Sequence, residues 1–115
     1  MTRVRIKSGG CGFEAHIHVQ KTERRKVSVR VSSDCPQVIC LAKELPGLTL
    51  MGVLKGPIDK NPVYEKAGQC GLHPGCPVPC GVLKAAEVEL ELALKKEAAI
   101  EFQEEGLKDQ KAIKG

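Results

Sequence analysis

Residues 2–8 alternate polar and apolar side chains, with Val4 and Ile6 on one side and Arg3, Arg5 and Lys7 on the other. The alternation returns over 13–21, where Phe13, Ala15, Ile17 and Val19 share a face opposite Glu14, His16, His18 and Gln20. It returns again over 26–32, with Val27, Val29 and Val31 inward. A period of two with one polar face predicts half-buried antiparallel strands. Gly9-Gly10 and Glu23-Arg24-Arg25 supply the turns, so the chain opens as a three-stranded meander.

The period then lengthens. Asp34 with Gln37 three residues on forms a capping-box pattern, and Pro36 fits a first helical turn, where its missing N–H costs nothing. Val38, Leu41, Ala42 and Leu45 form the apolar stripe of a helix that Pro46-Gly47 ends. Residues 48–54 fit a short helix or an extended stretch, broken by Gly56-Pro57. Asn61-Pro62 reads as cap and first turn of a second helix ending near Cys70 at Gly71. A third helix is predicted from about Pro79 to Leu94, with Leu83, Ala86, Leu90 and Leu94 on its apolar face. Ala98–Phe102 alternates weakly and is read as a last strand. The predicted fold is a single α+β domain over 1–104, an antiparallel three- to four-stranded sheet with about three helices on one face. Residues 105–115 form a charged, loose tail.

Composition narrows the class. The 115 residues are long enough for a real core, which must be aliphatic because there are two Phe, one Tyr and no Trp. The formal charge of +4 does not call for a nucleic-acid partner, and the lack of aromatics disfavours single-strand recognition. No secretory segment and no stretch of transmembrane length is visible, so a cytoplasmic, reducing location is expected with no membrane association. Six cysteines in such a compartment read as metal ligands, redox thiols or fillers before they read as a disulfide frame.

Four of the six lie in turns or at helix starts. Cys11 sits in Ser8-Gly9-Gly10-Cys11-Gly12, Cys35 between a strand and a helix, and Cys76 and Cys80 flank Pro-Val-Pro before the third helix. Such places favour exposed, stabilised thiolates. On a helical wheel Cys35 lies about 60° from Val38, near the buried stripe, and Cys40 about 160° away, so the two are not expected to meet. Cys40 is read as incidental and Cys70 as a core filler. His73, Cys76 and Cys80 form His-x2-Cys-x3-Cys on a loop stiffened by two prolines. With Cys11 and Cys35 they make a donor set for a soft metal, a zinc ion or an iron–sulfur cluster. The alternatives are a reversible Cys76–Cys80 disulfide and plain turn residues. His16 and His18 with Glu14 offer a second metal set, but an exposed strand face is the simpler reading. Arg3, Arg5, Lys7, Lys26 and Arg30 form a basic outer face suited to solvent or a partner. No phosphate loop, serine elbow or carboxylate pair is visible, and no catalytic turnover is expected.

The order of parts resembles the U-type iron–sulfur cluster scaffold fold, the IscU/SufU and NifU N-terminal family. A glycine turn with Cys-Gly lies between strands one and two, an Asp-Cys opens the first helix, and a His/Cys segment precedes a late alanine-rich helix, over roughly residues 3–94. The resemblance implies that Cys11, Cys35 and Cys80 converge on one metal or cluster, with His73 or Cys76 near the family's histidine, and that a protein partner in metal or cluster handling exists. The chain departs from that pattern at Phe13, where the family has aspartate, in lacking Leu-Pro-Pro-Val-Lys, and in the additional Cys76. The whole chain, with its Asn-Pro-Val-Tyr and Cys-Pro-Val-Pro-Cys-Gly segments, also looks like a small uncharacterised family of anaerobic prokaryotes.

Overall fold

The computed structural model describes residues 1–104; the loose tail expected over 105–115 lies outside the described residues. The opening meander forms as its alternation dictates: β1 (Thr2–Lys7), β2 (Glu14–Glu23) and β3 (Lys26–Ser33) pair antiparallel, and β4 (Gly47–Thr49) joins β3 to give the order β1-β2-β3-β4. The register sets Val4 opposite Ile17 and Ile17 opposite Val31, so one face carries the aliphatic rows. That face is covered by α1 (Pro36–Glu44), α2 (Leu50–Leu54), α3 (Pro62–Gln69) and α4 (Val78–Glu89). The core joins Ile6, Ile17, Val19 and Val29 of the sheet to Val38 and Leu41 of α1, Val63 of α3 and Val82 of α4, all buried. Phe13 precedes β2 and is exposed, so the inward row begins at Ala15 instead.

Asn61 caps α3 as the sequence predicts. Its Oδ1 accepts from the Val63 amide at 2.9 Å, while its Nδ2 donates to the carbonyls of Lys55 (2.9 Å) and Gly52 (3.2 Å), tying α2's end to α3's start. In α4 the decisive residue is Gly81. A Cβ there would fall on Ile6 Cδ1 and 3.2 Å from Ile17 Cδ1, so glycine lets the helix start lie on β1 and β2 without displacing the ends of those side chains.

Three expectations are corrected. The first helix has Cys35 rather than Asp34 at its N-cap, because extended backbone persists through Cys35, whose own amide donates to the Ser33 hydroxyl; no side chain among the described residues caps the first turn. The last helix stops at Glu89, not Leu94: Glu89 is held by the Thr2 hydroxyl (2.7 Å) and the Lys21 amide (2.9 Å), and Glu91 adopts a positive φ of 61°. Ala98–Phe102 forms no strand. It is exposed and has no ladder partner among the described residues, with Ile100 at 88% and Phe102 at 100% exposure.

Candidate thiol site

The pairing register gathers the turn cysteines at one end of the sheet. Lys7 pairs with Glu14 and Ala15 with Ser33, so the turn between β1 and β2 and the exit of β3 share that end, and Gly81 brings the start of α4 onto it. Cys11 closes a 3-10 turn (Gly9–Cys11) in which Gly9 and Gly12 take positive φ and the Gly12 amide donates to the Gly9 carbonyl at 2.9 Å. Cys35 is placed by Ser33, whose hydroxyl donates to the Glu14 carbonyl (2.6 Å) and accepts from the Cys35 amide (3.2 Å). The Cys35 thiol donates to Gln37 Oε1 at 3.3 Å. Cys76 sits in the Pro-Gly turn before α4, its amide bonded to the His73 carbonyl at 3.1 Å.

Cys76 is the electrical centre of the group. Burial pushes its thiol pKa up, and negative charge on Cys35 and Cys11 pushes it further. The Val78 amide in the first turn of α4 pulls the other way by donating to the sulfur. Cys76 therefore holds its proton more tightly than an ordinary thiol, although it faces the positive end of a helix. Cys35 and Cys11 therefore lie near enough for their charge to act on Cys76.

Cys80 opens a second face of the same cluster. It is exposed and lines a cleft of about 320 Å³ with Ile58, Tyr64, Leu83 and Lys84. The Tyr64 phenol is pushed up first by burial, then by negative charge on Cys80 and Cys76. His73 is exposed and its ring folds over Gly75, 3.6 Å from where a Cβ would stand, within its own loop. Among the described residues no three His, Cys, Asp or Glu side chains lie close enough to hold a metal ion. The thiols share a field without forming a closed ligand shell. His16 and His18 stand opposite Arg5 and Arg3 on β1, and His18 also faces Arg30 on β3, so arginines border this outer-face pair.

The feature that sequence reasoning missed is the Cys40–Cys70 disulfide, which joins the middle of α1 to the C-cap of α3 with Cα atoms 5.7 Å apart. Cys40 is thus not incidental, and Cys70 is not a simple filler. The wheel ranks residues of one helix against the sheet alone, whereas α3 packs against another flank of α1. The remaining cysteines, Cys11, Cys35, Cys76 and Cys80, are free. No helix among the described residues is long and apolar enough to cross a membrane.

No curated protein and no solved structure matches the chain. A family model does, over residues 2–102, a span that takes in all of the sheet, the helices and the four free thiols. The chain therefore belongs to the family of unknown function DUF6951.

Proposed function

We propose that this protein is a thiol-based metal-binding protein, scaffold-like rather than catalytic, that takes zinc or an iron–sulfur cluster on Cys11, Cys35, Cys76 and Cys80. The observation that carries the reading is the sheet register, which brings the Gly9–Cys11 turn and the Cys35 exit of β3 to the end of the sheet where α4 starts after Cys76. Sulfur donors of this number suit soft or borderline metals. As the side chains stand they do not fit a bound ion, because no three donors meet. The reading therefore requires the Gly9–Cys11 turn and the Cys76 loop to move inward on binding. His73 is the least supported donor, since its ring lies on its own loop. The reading places the chain in the cytoplasm, with a protein that supplies or receives the metal.

Protein purified without oxygen and offered zinc, or iron with sulfide, tests this. Wild type should retain one zinc or one cluster per chain, and Cys35→Ala and Cys76→Ala should lose it. Cys40→Ser/Cys70→Ser should bind as wild type does. Equal retention by wild type and Cys35→Ala, or no retention by wild type, rejects the proposal.

A second reading is thiol–disulfide exchange. It is supported by a disulfide and four free thiols in one small domain, and by the exposure of Cys80 beside Tyr64. In a reducing compartment a Cys40–Cys70 bond is a redox-active pair and not a permanent staple. A Cys76–Cys80 disulfide forming reversibly in metal-free protein would favour this reading.

A further inference from the structure

We infer that residues Ala98–Phe102 pair as a strand with the free edge of β1 in a second copy of this chain, giving a reciprocal strand-exchanged dimer. Four observations on different parts of the molecule lead there.

The segment carries a strand pattern without a strand. Ala98, Ile100 and Phe102 share one side and Glu97, Ala99 and Glu101 the other. Phe102 is one of only two phenylalanines in the chain and is fully exposed; Ile100 is 88% exposed. Alternating apolar side chains in solvent are a surface waiting for a sheet.

The sheet offers an edge. Among the described residues β1 pairs with β2 on one side only, and its other side presents backbone groups with no ladder partner. The opposite edge is β4, only Gly47–Thr49 long, so β1 is the edge with the length to accept another strand.

The two strands match in charge and polarity. On β1, Arg3, Arg5 and Lys7 point outward, while Thr2, Val4 and Ile6 point inward, Val4 only half-buried. Among the described residues neither Arg3, Arg5 nor Lys7 makes an ion pair. An antiparallel strand laid in phase with the pleat sets Ile100 beside Val4, Ala98 beside Ile6 and Phe102 beside Thr2, and it sets Glu101 beside Arg3 and Glu97 beside Lys7. Opposite charges on neighbouring strands attract, and like charges repel. The basic row therefore blocks two β1 edges from pairing with each other while admitting an acidic strand.

The segment belongs to the shared unit and stands away from its own body. The family match runs through residue 102. Among the described residues the segment is exposed along its whole length. The segment does not dock on its own β1, although Glu89, just before it, bonds to Thr2 at the start of that strand. The match of charge and pleat points to β1 of a second copy as its partner, and reciprocity gives a closed dimer in place of a filament.

Sedimentation equilibrium on the full chain tests this, over a concentration series in oxidising buffer without metal. Wild type should dimerise. Ile100→Asp/Phe102→Asp, which alters only exposed side chains, should weaken the dimer by about tenfold or more while leaving the far-UV spectrum unchanged. Arg3→Glu/Lys7→Glu should weaken it as well, and adding Glu97→Lys/Glu101→Lys to that variant should restore it. Three results would overturn the inference. One is a wild type that stays monomeric throughout, whether its segment is free or docks on its own β1 edge and protects those amides from exchange. Another is a dimer indifferent to Ile100→Asp/Phe102→Asp. The third is a charge reversal that fails to rescue.

Discussion

Breaking the Cys40–Cys70 disulfide should lower the stability of the domain by several kcal/mol. The bond closes a segment with a sequence separation of 30 residues, between the middle of α1 and the end of α3. A loop of that size removes about 12 cal/mol/K from the unfolded chain in the chain-entropy treatment, or about 3.6 kcal/mol at 25 °C. For a domain of this size that corresponds to a fall in Tm of roughly 10–20 °C. The perturbation is either Cys40→Ser/Cys70→Ser or reduction of the wild type, and the two should converge on one melting curve. Circular dichroism melts in matched oxidising and reducing buffers read the shift. Thiol titration in denaturant fixes the assignment: four groups should react before reduction and six after. Oxidised and reduced melts within about 1 °C of each other would refute the loop-entropy argument. Six reactive thiols without reductant would refute the disulfide itself.

Two further substitutions probe the joints that hold the helices. Asn61→Ala should destabilise by about 2–3 kcal/mol, because it removes a helix cap and the donor to Lys55 and Gly52 at a buried position. Asn61→Asp should recover only part of this in urea melts, since it keeps the acceptor for Val63 but sets a carboxylate against those carbonyls. Glu89 is held below its ordinary carboxylate pKa first by the Lys21 amide and then by the Thr2 hydroxyl. Its contribution is therefore complete above the ordinary value of 4.5 and is lost as pH falls through the lowered folded value. Glu89→Gln should cost about 1 kcal/mol at pH 7, and the gap to wild type should close on acidification below that range. A gap that persists at low pH would show that the carboxylate charge is not what matters.

How much was legible in the chain can be judged from particular residues. Val4, Ile17, Val29 and their neighbours announce a two-faced sheet because pleating sends successive side chains to opposite sides. Asn61 announces a cap because its side chain reaches the amide two residues on, a contact that needs no other part of the fold. The turn cysteines are equally visible as a set, and the register brings Cys11 and Cys35 to one end of the sheet. The weight of Cys76 within the set was not legible, because it follows from burial and from charges on two distant segments. The failures share that origin. The angle of Cys40 on its own helix says nothing about α3, and Cys70 lies thirty positions away. The alternation at Ala98–Phe102 is a real local pattern, but a strand requires a hydrogen-bonding neighbour, and none stands beside it among the described residues.

Neighbours along the chain dictate the strand faces, the Asn61 cap, the aliphatic core and the placing of four thiols in turns. Tertiary structure alone decided which cysteines pair, which thiol sits at the centre and which strand-like segment is left without a partner. Periodicity and capping act over a few residues, whereas a disulfide, an electric field and a sheet edge depend on distances in space that packing creates.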